Sequence, residues 1–79
     1  SLDRTKAGLG REMLIGETGL VTRVPNQGGR GELRFPAPIL GDDTWQILCD
    51  DELSVGDKVV VRELSGNTLV VAKFESTSD

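Results

Sequence analysis

The sequence predicts an all-β domain, a small five-stranded OB-fold-like barrel, and three observations lead there. Ten glycines and three prolines cut the 79-residue chain into short segments. Those segments are rich in Val, Leu, Ile and Thr and alternate with a period of two rather than 3.6. Five of them in about 65 ordered residues are too few for a sandwich, which takes roughly seven strands and 100 residues. An SH3-like barrel has a similar strand count and stands as the structural alternative. A chain this short forms one domain with a thin core, burying only about 60–65% of its unfolded surface, and a deep enzyme pocket is not expected.

Residues 1–11 read as a polar, flexible lead-in. Ser1-Leu2-Asp3-Arg4 is neither a signal nor a transit peptide, and the missing initiator Met suggests a fragment cut from a longer chain. The barrel domain is expected over residues 12–74. Its first strand candidate covers residues 13–24, with Gly16 and Gly19 inside it marking a bulge or sharp bend. Residues 25–29 are a loop on composition. The second strand, residues 30–35, places Leu33 and Phe35 on one face and Glu32 and Arg34 on the other. Pro36-Ala37-Pro38 excludes an internal ladder and, with Gly41-Asp42-Asp43, bounds the connection to a third strand over residues 44–49. There Trp45, Ile47 and Cys49 alternate against Gln46 and Leu48.

After Asp50-Asp51-Glu52, the stretch Leu53-Ser54-Val55-Gly56-Asp57 reads as a tight turn delivering a fourth strand over residues 58–64. The hairpin into the fifth strand follows from burial. With Val61 opposite Val71, and Val59 and Leu69 also inward, the loop must be the three residues Ser65-Gly66-Asn67. A two-residue Gly66-Asn67 loop would oppose Arg62 to Val71, burying a charge or exposing a valine. Residues 75–79 carry no apolar side chain and read as a disordered tail.

The inventory excludes most catalytic chemistry. There is no His and no Tyr, and one each of Cys, Trp and Met. Without His, neither a Ser-His-Asp nor a Cys-His constellation can be built. One Cys makes no internal disulfide, and Cys49 lies in an apolar stretch, so a buried thiol accounts for it ahead of a reactive or metal-binding one. Ser54 and Lys58 are four apart, but a turn lies between them and chance explains the spacing. Asp42-Asp43 and Asp50-Asp51-Glu52 read as solvated turns, since no EF-hand-like alternation of oxygen ligands is present. No cofactor, metal or small-molecule substrate is expected, and no apolar run approaches the roughly 18–20 residues that cross a bilayer.

Charge is divided unevenly. Residues 1–36 hold six basic against four acidic side chains, and residues 37–79 three against nine, within a total of −4. Such a balance repels a phosphate backbone unless basic residues converge on one face, which only the first half could supply. Gly28-Gly29-Arg30-Gly31 could cradle an anion or act as an RGG-like contact, but a Gly-rich hairpin loop explains it without a ligand. Outward-facing Val60 and Val70 would form a small apolar strip, a possible docking surface that is also ordinary for strands.

Leu14-Ile15-Gly16-Glu17-Thr18-Gly19-Leu20-Val21, then Gly28-Gly29-Arg30-Gly31-Glu32-Leu33-Arg34, then Leu53-Ser54-Val55-Gly56-Asp57-Lys58-Val59-Val60-Val61 and Gly66-Asn67-Thr68-Leu69-Val70-Val71 resemble, in that order, the NfeD family. The match covers about residues 13–73. It is similar to the C-terminal soluble domain of the short, membrane-anchored members, of the YuaF or YqiJ type, above all in the longer segment between the second and third strands. The resemblance implies an OB-fold module that follows membrane helices and works with stomatin- or flotillin-like SPFH-domain proteins in membrane microdomains. It implies no catalysis, because the serine-protease domain of the long members is absent from these residues.

The expected function is therefore a non-enzymatic protein-interaction domain of a membrane-anchored protein, placed on the cytoplasmic side. Arg30, Arg34 and Trp45 are the expected partner contacts, since strands two and three form the customary OB recognition face. The alternative is a single-stranded nucleic-acid-binding module using the same face, with Trp45 or Phe35 as the stacking platform between basic side chains. Few aromatics and an acidic balance weigh against nucleic acid as a partner.

Overall fold

A computed structural model of the chain describes residues 10–26 and 29–74. A short 3-10 helix, Arg11–Leu14, precedes five strands: β1 Thr18–Arg23, β2 Gly31–Ile39, β3 Asp42–Leu48, β4 Lys58–Ser65 and β5 Thr68–Lys73. The strands close into a barrel in the order β1-β2-β3-β5-β4, with β1 antiparallel to β4 and β3 parallel to β5. This is the Greek-key order of a five-stranded OB-fold, and it decides against the SH3-like alternative. The expected lead-in and tail fall largely outside the described residues, as do Gln27 and Gly28 of the expected loop. Gly10 and Arg11 begin the 3-10 helix.

Alternation drives the packing. Leu33 and Phe35 of β2, Ile47 of β3, Val59 and Val61 of β4, and Leu69 and Val71 of β5 turn inward, joined by Val21 of β1. Leu14 closes the barrel from the 3-10 helix, and Leu53 packs in from the turn before β4. That turn is held by Asp57, whose Oδ2 accepts from the Ser54 N–H at 2.9 Å and lies 3.8 Å from Lys73 Nζ. β1 changes partner along its length: Thr18, Gly19 and Leu20 pair with β4, whereas Leu20 and Val21 pair with β2.

Three expectations need correction. The stretch 13–17 is not strand. The chain turns through Arg11–Leu14 and leaves that turn at Gly16, φ +93°, so the ladder starts only at Thr18. Second, β2 runs on to Ile39, and β3 begins at Asp42 and ends at Leu48. The prolines still interrupt the ladder: between the pairs Arg34↔Thr44 and Ile39↔Asp42, residues 35–38 stand opposite Asp43 alone. Pro36, Ala37 and Pro38 thus arch away from β3 as a wide bulge, because two of the three lack an N–H to donate.

Third, the β4–β5 loop has two residues, since Ser65 pairs with Thr68. Val61 nevertheless faces Val71. The register shifts at Arg62, one extra residue that bulges toward solvent and spares the charge from burial. Gly66 takes φ +60° at the first central position, where a type II′ turn needs it.

The other two-residue turn, between β2 and β3, is less comfortable. Leu40 (φ 54°) and Gly41 (φ 88°) both lie in the left-handed region, as a type I′ turn demands, and Leu40 is 44% exposed. Leucine pays a steric cost there that asparagine largely avoids. Leu40→Asn is expected to raise the unfolding free energy by about 0.5–1 kcal/mol in urea titration.

Candidate functional site

Position along β2 decides where the expected contacts lie. Arg34, even-numbered like Glu32, points outward opposite Thr44, and its Nε lies 3.4 Å from Asp43 Oδ2. Arg30, exposed just before the strand, has the same parity. Trp45 pairs with Leu33, so it turns to the core side, packs against the buried cluster and donates from Nε1 to the Asp42 carbonyl at 3.0 Å. The structure brings Arg30 and Arg34 to one surface and sets Trp45 on the other side of the same ladder. Phe35, the other aromatic named as a stacking platform, is 2% exposed.

Two surfaces escaped the sequence reading wholly or in part. Phe74 is 39% exposed and carries Lys58 Nζ over its ring, 4.6 Å from the centroid. Phe74, with Val60, Arg62, Ala72 and Lys73, lines a shallow depression on the outer face of β4 and β5. Val60 and Val70, expected as an outward strip, are both half-buried there. The second surface is a cleft of about 190 Å³ under the proline arch, lined by Met13, Glu17, Phe35, Pro36, Ala37, Pro38 and Ile39. A run of three small or cyclic apolar residues between two strands was its signal, legible only once the bulge was known.

Cys49 is half-buried and packs against the core, with its Sγ accepting from the Asp51 N–H at 3.4 Å. Burial pushes its thiol pKa up; the Asp51 N–H opposes this, while the Asp51 and Asp50 carboxylates add to it. The folded state therefore keeps the proton at a pH where the unfolded chain releases it. Stability contributed by the neutral thiol is present below about pH 8.5 and is lost as pH rises through the folded pKa. The urea midpoint of the wild type is expected to fall toward that of Cys49→Ala between pH 7.5 and 10. Alkylation by iodoacetamide at pH 7.5 should be slower than for free cysteine. Among the described residues no three His, Cys, Asp or Glu side chains are grouped to hold a metal ion, and no helix is long and apolar enough to cross a membrane.

A closed OB barrel whose accessible chemistry is apolar side chains, a cation over an aromatic ring and paired surface charges is built as a binding module. The family model described as the NfeD-like C-terminal, partner-binding domain matches residues 11–73, and the chain belongs to the NfeD family. It is a protein-interaction domain. Among solved structures it is similar to the C-terminal domain of stomatin operon partner protein 1510-C from Pyrococcus horikoshii, with 25% identity and a TM-score of 0.64. That likeness covers 85% of this chain and 97% of the other. No curated protein matches the chain.

Proposed function

We propose that this domain docks its parent protein onto a stomatin- or flotillin-like SPFH protein, assembling or regulating that scaffold without catalysing a reaction. The observation that carries the reading is the near-complete overlap with a domain from a stomatin operon partner protein, 97% of it covered by this chain. The parent is membrane-anchored in this proposal, with the barrel on the cytoplasmic side, in a membrane microdomain. Arg30 and Arg34 are proposed as direct contacts on the outer face of β2. Trp45 is proposed to serve them from behind, packed against the core and bonded to the Asp42 carbonyl at the start of β3.

The test is co-purification of the full-length parent, in detergent, with the SPFH-type proteins of its own cell, comparing intact protein with one lacking residues 12–74. Loss of the SPFH protein on deletion is the expected result. Its retention would move docking to another part of the parent and sink this proposal. In a folded protein, Arg34→Glu with Trp45→Ala is expected to reduce the recovered partner; unchanged recovery overturns that site assignment.

A further inference from the structure

We propose that the cleft between the 3-10 helix and the arch Pro36-Ala37-Pro38, extended by Leu40, receives an amphipathic segment of the protein partner that carries basic residues beside its apolar face. The existence of that partner rests on the docking function proposed above; the choice of surface and occupant rests on four observations.

The cleft is apolar and open. Phe35 forms its floor, Met13 is 42% exposed on one wall, and Pro36, Ala37 and Pro38 are exposed on the other. At about 190 Å³ it is smaller than the roughly 300–1,000 Å³ of small-molecule sites, a size suited to one or two apolar side chains of a protein segment. The arch is also stiff. Two prolines fix their own φ and restrict their neighbours, so little freedom is lost when a partner covers them.

Leu40 adds an independent signal. It sits at the hairpin tip next to the cleft residue Ile39, in a left-handed conformation that Asn, Asp or Gly would adopt with less strain, and it is exposed. Folding buries only part of the side chain in return for that strain. Strain held at an exposed apolar tip points to contact with something outside the barrel.

Charge selects the occupant. Glu17 lines the cleft, and Asp42 stands opposite Ile39 at its far end. Among the described residues neither carboxylate belongs to an ion pair, whereas the neighbouring Asp43 is taken by Arg34. Two unneutralised carboxylates on a chain of net charge −4 attract basic side chains and repel an anionic lipid surface. The occupant is accordingly a basic amphipathic protein segment and not a membrane.

The test uses the chain with three variants: Leu40→Asn, Ala37→Asp, and the double reversal Glu17→Lys with Asp42→Lys. Amide spectra are recorded with two designed peptides of equal apolar content, one Leu/Lys and one Leu/Glu, and with phosphatidylserine vesicles. Affinity for the purified SPFH-type protein of the same cell is measured by calorimetry. The Leu/Lys peptide is expected to shift Met13, Glu17, Ala37, Ile39 and Leu40. Leu40→Asn and Ala37→Asp should each weaken the SPFH protein about tenfold with the fold intact, an effect typical of a truncated hot spot. The double reversal should switch preference to the Leu/Glu peptide. SPFH binding that none of the variants alters overturns the cleft while leaving the docking function standing. Absence of SPFH binding, with the Leu/Lys peptide still seated in the cleft, overturns the docking function and keeps the cleft's preference. Equal binding of both peptides, or shifts at the same residues with vesicles, overturns the basic protein segment as occupant.

Discussion

Phe35→Ala is expected to lower the unfolding free energy by about 3–5 kcal/mol, the largest loss of any single side-chain truncation in this barrel. Phe35 is the bulkiest fully buried side chain. It lies beneath β1, where a Cβ on Gly19 would come within 3.2 Å of Phe35 Cδ1, and it floors the cleft under the proline arch. Its removal leaves a hole that β1 cannot fill, because the β1 backbone is already held by ladders to both β2 and β4. A 79-residue domain has a total stability of roughly 4–12 kcal/mol, so the variant stands near the folding threshold. Urea titration measures the loss directly, and Phe35→Leu, which keeps most of the volume, should cost under about 1.5 kcal/mol. A loss below about 1 kcal/mol for the alanine variant would mean that the ring is not part of the packed core.

Gly31→Ala is the second large effect, for a reason that burial of apolar area does not capture. Gly31 is buried at the start of β2, opposite Ile47. A Cβ there would collide with the carbonyl oxygen of Arg23 and lie 2.6 Å from the nitrogen and 2.7 Å from Cδ of Pro25. The obstacles are backbone and a proline ring, which cannot rotate aside as a flexible side chain would. A loss of about 2–3 kcal/mol is expected, with Gly31→Val worse, and the urea midpoint reads both. The clash also lies where the chain leaves β1 for β2, so amide exchange should quicken in Val21 and Leu33, which pair across that junction. Wild-type exchange rates there in a destabilised Gly31→Ala would show that the chain yields elsewhere.

The barrel was legible in the sequence because its core residues keep period two. Leu33 and Phe35 face in, as do Val59 and Val61, and Leu69 and Val71. The irregularities were harder to see. The bulge at Arg62 leaves one trace, since inward positions move from odd numbers at Val59 and Val61 to even at Leu64, which packs against the core. Leaving that change of parity out of account makes a three-residue loop the only way to keep Val61 opposite Val71. The prolines announced a break in the ladder, but not that strand geometry would resume at Ile39. The site was less legible, because a surface depends on register between strands. Arg34 and Trp45 look like neighbours on adjoining strands, yet the pairs Arg34↔Thr44 and Leu33↔Trp45 set them on opposite sides. Family resemblance supplied the binding role; alternation alone could not have chosen between the outer face of β2 and the cleft beside it.

Closure of the barrel has a consequence for how recognition can work. Each of the five strands is hydrogen-bonded on both sides along part of its length, through the order β1-β2-β3-β5-β4 and back to β1. Among the described residues no strand therefore offers an edge free along its whole length to which a foreign strand could add, the mode by which open sheets capture extended peptides and also the route by which they aggregate. Where β2 does leave its ladder, prolines occupy two of the three arch positions and remove the donors such an addition would need. A partner of this domain is left chiefly with side chains to read. Its specificity is then set by a handful of apolar and charged positions that can change without disturbing the main-chain ladder.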